Sequence, residues 1–242
     1  MTPILVFDIE TVPDVAGIRR VHAPPAPMSD DELMAWYFQQ RREATGREFA
    51  PHALQRIVAI SCALRETGRF KIASVGELAD PEPELIRRFF EILDAYTPQL
   101  VSWNGSGFDL PVLHYRAMVH GVTAARYWDW GDEDKDFKFN NYLSRYHTRH
   151  LDLMEVLALY QPRVYAGLDT MARLCGFPGK LGMDGSEVAP AIASGRLAEV
   201  RNYCETDVFP SMGVIDKAVG ATGDLSAFIT KDASPPHGGE AF

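Results

Sequence analysis

Asp8 and Glu10 stand two residues apart at the end of an apolar run, Ile4-Leu-Val-Phe7. If that run is a strand, both carboxylates share one face while Phe7 and Ile9 take the other. Their spacing along the strand is ~6.7 Å, and at an effective dielectric of ~20 they repel by about 2.5 kcal/mol. A buried strand end tolerates that repulsion only where a cation, a proton or solvent relieves it. The pair therefore reads either as part of a metal site or as two solvated acids at a surface strand end. Two more acids occupy informative places. Asp109 stands in the first turn of a helix that follows a short strand, in Asn104-Gly-Ser-Gly-Phe-Asp-Leu-Pro111. Asp207 follows Tyr203 by four residues, so the two share a helical face. Each also has an ordinary reading: an acid favoured by a helix N-terminus at 109, and a solvated acid beside a core tyrosine at 207.

The elements that carry these residues follow from periodicity. Ile4 to Phe7 has the length and β-branched content of a strand buried on both faces. Residues 12–56 lack strand signals and read as an insertion. It holds a Pro-rich turn at 23–27 and a helix opened by a capping box, Ser29 with Glu32, that runs to about Thr45 and stops at Gly46. Leu33, Trp36, Tyr37 and Gln40 form its stripe. Either Trp36 packs on the core with Arg41, Arg42, Arg47 and Arg56 solvated, or the insertion is a flap offering aromatic and basic contacts to a nucleic acid. Residues 56–64 and 70–75 read as an antiparallel hairpin around Glu66-Thr-Gly-Arg69. A helix at 83–96, a strand at 99–103 and a helix from about Phe108 to His120 come next.

Periodicity lapses over 124–149. There His147 and His150 make only a weak metal pair, while Arg145, Arg149 and nearby tyrosines either line a nucleic-acid path or belong to a solvated loop. A strand at 150–153 and helices to about Tyr160, at 168–175, at 188–194 and at 196–219 complete the pattern. The tail from Gly220 has no core pattern and is expected to be flexible. The order predicts one α/β domain over 1–219: three antiparallel strands extended by parallel ones, with helices on both faces.

The net charge of −9 argues against a protein that grips duplex nucleic acid electrostatically, yet leaves room for an enzyme that meets phosphate through bound cations. No apolar run reaches the length of a membrane span, so no membrane partner is expected. The N-terminus reads as a core strand rather than a signal peptide. Cys62, Cys175 and Cys204 show no CxxC spacing, which fits a reducing, cytoplasmic setting.

In order, the chain carries D-x-E on its first strand, N-x-x-x-F-D before a helix, and Y-x-x-x-D on a late helix. This set resembles the DEDD superfamily of 3′–5′ exonucleases, in the subgroup with tyrosine in the third motif. It is most similar there to the proofreading exonuclease domain of family-B DNA polymerases and to the stand-alone bacterial proteins related to that domain. The resemblance runs from about Pro3 to Ala218. It implies an RNase H-like fold and a site for two divalent cations, Mg²⁺ or Mn²⁺, which suit hard oxygen ligands and phosphodiester hydrolysis.

By that resemblance Asp8 bridges both ions, Glu10 and Asp207 complete the ion that holds the attacking water, and Asp109 serves the second. Tyr203 orients the water. Phe108 and the backbone near Thr11 contact the 3′-terminal nucleotide, Asn104 fixes its loop, and Lys180 contacts phosphate. The expected activity is 3′–5′ hydrolysis of DNA, with single-stranded ends preferred, in a DNA-repair setting. Trimming of RNA 3′ ends and a non-catalytic binding module are the alternatives. No polymerase domain in cis is expected, and the motifs name no protein partner. Pro210 departs from the pattern, since it removes a helical bond to the carbonyl of Thr206 and predicts a kink beside Asp207.

Overall fold

The computed structural model describes residues 2–25, 27–179 and 183–219, with side chains as far as 214. Its centre is β1 (Ile4–Pro13), the middle strand of a five-stranded sheet of order β3-β2-β1-β4-β5. On one side β1 pairs antiparallel with β2 (Gln55–Glu66), which pairs antiparallel with β3 (Arg69–Ser74). On the other side β4 (Gln99–Ser102) and β5 (His150–Asp152) run parallel to it. This is the mixed sheet expected of an RNase H-like fold.

Period-two alternation sorts the residues of β1. Leu5, Phe7 and Ile9 enter the main core with Phe89 and Phe90 of α3 (Glu82–Tyr96) and with Val112 and Leu113 of α4 (Asp109–His120). Val6 and Val12 pack on the opposite face, against α8 (Leu197–Val219). Asp8 and Glu10 share the parity of that second face.

Three features differ from the expected pattern. First, β1 continues through Pro13 and is irregular where Glu10 pairs with Ala59 but Thr11 pairs with Ile57, so Val58 is an extra residue in β2. Second, the insertion begins with a helix that periodicity did not reveal, α1 (Val15–His22), capped by Asp14, whose Oδ1 accepts from Gly17 N at 3.0 Å. With α2 (Asp30–Thr45) it forms a small core of its own around Ile18, Leu33, Tyr37 and Ala50. Tyr37, four residues after Leu33, is therefore the buried aromatic, while Trp36 at the edge of the stripe is half-buried. The capping box of Ser29 and Glu32 and the left-handed Gly46 stop are as expected. Third, α5 (Leu153–Leu157) ends early, because Leu159 and Tyr160 take positive φ values of 50° and 59°.

Helices α6 (Leu168–Leu174) and α7 (Val188–Ala193) pack beside α8. A buried ionic cluster joins four elements on the other face. Arg116 of α4 donates to Glu82 of α3 at 2.8 and 2.6 Å and to Asp14 before α1 at 2.6 Å, while Glu82 accepts from Ile57 N of β2 at 2.7 Å. Among the described residues no helix is long and apolar enough to cross a membrane. The tail from Gly220 and Lys180 lie outside the described residues.

Candidate active site

The site forms where β1 outruns its parallel neighbour. β4 stays in register with β1 only as far as Val6 opposite Val101, so beyond that point β1 has no parallel strand beside it. Asp109, the first residue of α4, fills that gap: its Oδ1 accepts from Ile9 N at 3.1 Å. A carboxylate from the far end of a helix is thereby seated on the backbone between Asp8 and Glu10. Asp109 is only 4% exposed. Burial pushes its carboxyl up to about 7, the charge of Asp152 pushes the same way, and the backbone N–H groups of Asp109 and Ile9 oppose the rise.

From the other face α8 presents Tyr203, Cys204 and Asp207. Glu205 sets its position along the sheet, with Oε1 accepting from Ser74 N and Oγ at 2.8 and 2.6 Å. Arg201 adds a bond to the carbonyl of Gly76 at 2.6 Å. The thiol of Cys204 donates to the carbonyl of Asp8 at 3.4 Å and lies 3.6 Å from its Oδ2. Donor atoms of Asp8, Glu10 and Cys204 all lie within 4.8 Å of one another. Burial first, and then the charges of Asp8, Glu10 and Asp207, push this thiol well above its ordinary range, so it stays protonated. Tyr203 is buried with Val12, Val58 and Ala59, the residues of the β1–β2 irregularity. Helix α8 continues through Pro210, and the hydroxyl of Ser211 donates to the carbonyl of Asp207 at 3.2 Å.

The loop between β4 and α4 is held by a residue that the sequence pattern did not single out. Asp152 accepts from Asn104 N and Ser106 N, each at 2.9 Å, and caps α5 through Met154 N at 3.1 Å. Its signal was present as an Asp-x-x-Glu start, Asp152 to Glu155, hidden in a segment read as a strand. Asn104 adopts a left-handed φ of 65°, and a Cβ on Gly105 would meet Ser102 Oγ at 2.2 Å, so this turn requires glycine. Phe108 is half-buried. Its ring faces Phe49 at 5.8 Å and His52 at 5.4 Å, and His52 Nε2 hydrogen-bonds the carbonyl of Gly107 at 2.9 Å. The insertion thus sends two aromatic rings to the loop beside Asp109, a long-range contact that no local pattern announces.

The hydroxyl of Thr11 donates to Gln55 Oε1 at 3.2 Å, across the β1–β2 irregularity. His147 Nδ1 accepts from Asn141 N at 3.0 Å and His150 Nε2 meets Ser102 Oγ at 2.9 Å, so each histidine is engaged separately. Arg149 turns inward, 4.6 Å above the ring of Phe137, whereas Arg145 is exposed and pairs with Glu155 at 3.1 Å.

A family model described as "Predicted 3'-5' exonuclease related to the exonuclease domain of PolB" matches residues 47–227. That stretch holds Asp109, Tyr203 and Asp207, while Asp8 and Glu10 precede it. The chain is also similar in fold to the family B DNA polymerase from the hyperthermophilic archaeon Pyrobaculum calidifontis, with a TM-score of 0.55 and 17% sequence identity. The similarity covers 90% of this chain and 25% of the polymerase chain. No curated protein matches the sequence.

Proposed function

The chain belongs to the family of predicted 3′–5′ exonucleases related to the exonuclease domain of PolB, and from that premise we propose that it is a divalent-cation-dependent exonuclease of the DEDD type, with Tyr203 as the tyrosine of its third motif. Family membership supports a nuclease function and implies a nucleic acid as substrate. The observation that carries the finer reading is the seat of Asp109 on Ile9 N, between two acids that α8 approaches from the other side.

The donor set fits such cations. Glu10, Asp109 and Asp207 are 9%, 4% and 5% exposed, and carboxylates so buried need positive charge to stay ionised together. Their oxygens are hard ligands of the kind that Mg²⁺ and Mn²⁺ take. Asp8, Glu10, Asp109 and Asp207 would hold two ions, which when bound supply a nucleophile at neutral pH and charge stabilisation at phosphorus. The remaining work falls to the chain. Tyr203, fixed by Val12, Val58 and Ala59, offers a hydroxyl to orient the attacking water. Phe108, braced by Phe49 and His52, offers a ring face to the terminal nucleotide. Asp152 keeps the Asn104–Phe108 turn rigid, so Asp109 and Phe108 keep a constant separation. The acidic net charge favours single-stranded DNA ends over intact duplex.

The test is a strand labelled at its 5′ end, as DNA and as RNA in parallel, incubated with Mn²⁺ or Mg²⁺. Stepwise loss of 3′ nucleotides from the DNA supports the proposal. Loss confined to RNA reassigns the substrate, and no loss from either strand leaves a binding module. Tyr203→Phe is expected to lower kcat by about 10–100-fold while Mn²⁺ affinity, read by calorimetry, stays the same; unchanged turnover would make Tyr203 a packing residue only. Saturating Mn²⁺, near 100 times its Kd, should stabilise the fold by about 2.7 kcal/mol, or roughly 5–10 °C in Tm. Chelation should reverse that gain, and Asp109→Asn should remove most of it in a thermal melt.

A further inference from the structure

Beside the turn that carries Phe108 and Asp109 lies a cavity of about 360 Å³ that the carboxylate site does not use. Ser106, Leu110, Pro111, Tyr127, Tyr142 and Leu143 line it. The two tyrosine rings are stacked, 5.5 Å apart and 8° from parallel. The size is that of a small-ligand site, and aromatic and apolar side chains share its lining with polar ones.

Its polar groups divide by depth. Inside, His114 and His150 are both pushed down to about 4 by burial, so both imidazoles are uncharged at neutral pH. His114 lies against Tyr127 at 4.2 Å and Trp128 at 4.8 Å, and its Nε2 is buried without a hydrogen-bond partner among the described residues. At the mouth stands a charged pair, Arg145 with Glu155 at 3.1 Å. The guanidinium also lies 4.9 Å above the ring of Tyr160, and one of its nitrogens meets Glu155, which leaves donors for an anion.

A neutral aromatic interior with a cation at the rim suits a planar uncharged heterocycle attached to an anion. We infer that this cavity is a second nucleotide site, with a nucleobase against the Tyr127–Tyr142 pair and its phosphate at Arg145. Where that nucleotide comes from rests on the exonuclease reading: it is an unpaired nucleotide of the bound strand or the released mononucleotide. The chemistry of the site does not depend on that reading.

The test uses the full chain carrying Asp8→Ala, in chelator, so that nothing is hydrolysed. Thymidine monophosphate and a thymidine tetranucleotide are titrated by calorimetry. Saturable binding is expected, weakened at least tenfold by Leu143→Trp, which fills the cavity, and about fivefold by Arg145→Gln at the exposed rim. A tetranucleotide at least ten times tighter than the mononucleotide assigns the site to the strand; equal affinities assign it to the product. Absence of saturable binding by both probes, or full affinity in both variants, overturns the inference. Should Leu143→Trp lose its circular dichroism, Arg145→Gln decides alone. Strand hydrolysis by the unaltered chain with Mn²⁺, measured in parallel, separates the two readings. Hydrolysis without binding here removes only the second site, and binding without hydrolysis removes only the exonuclease.

Discussion

Replacing Asp8 by alanine is expected to lower the rate of 3′ nucleotide release by about 10³-fold or more with either Mg²⁺ or Mn²⁺. Asp8 is the acid that the other groups converge on: its carbonyl and carboxylate both meet Cys204, and its neighbour Ile9 receives Asp109. On the proposed reading, removing it takes away a cation ligand and leaves the remaining acids without the charge arrangement that would hold cations. A loss of ~4 kcal/mol of transition-state stabilisation, ordinary for a metal site, corresponds to that factor at 1.36 kcal/mol per decade. Asp8→Asn should fall almost as far, because it keeps the shape and removes the charge. A gel assay of the labelled strand reads both. Retention of more than a tenth of the activity by Asp8→Ala would remove Asp8 from the site.

Arg116→Met should produce the largest loss of stability among single substitutions outside the acids. The guanidinium neutralises Glu82 and Asp14 at once, and all three groups are largely shielded from water. Taking away one partner leaves carboxylates without their counter-charge, at a cost of about 3–5 kcal/mol and roughly 10 °C in Tm. An exposed pair on the same helix as Glu82 is the control. Arg87 bonds Glu84 and Glu91 near the surface, and Arg87→Met should leave the melting point almost unchanged. Because Arg116 lies on the helix that starts at Asp109, its loss should also lower turnover. Equal melting points for the two variants would mean that the buried cluster contributes little.

Much of the scaffold was legible locally. The first strand, the Ser29–Glu32 capping box, the Gly46 stop, the hairpin and the helix opening at Asp109 each depend on residues within a few positions of one another. The misses have a common character. Helix α1 is eight residues long, too short to be stable alone, and Arg116 anchors its Asp14 cap from another element. Tyr37 displaced Trp36 as the buried aromatic because α2 packs on α1 rather than on the main core. Asp152 looked like part of a strand, yet its carboxylate organises a turn nearly fifty residues earlier.

The sequence by itself determined the residue types of the site and the faces they share. Two-residue alternation put Asp8 and Glu10 on one side of a strand, and four-residue spacing put Tyr203 and Asp207 on one side of a helix, because backbone geometry sets those relations over a single turn or pleat. Only the tertiary structure decided how the faces meet. Where the pairing of β1 with β4 ends at Val6, a gap opens that Asp109 fills. Where Glu205 and Arg201 anchor α8, the thiol of Cys204 arrives between two acids. Where the insertion ends, Phe49 and His52 reach Phe108. Each of these contacts joins residues tens to nearly two hundred positions apart, and strand pairing and core packing, rather than any local period, bring them together.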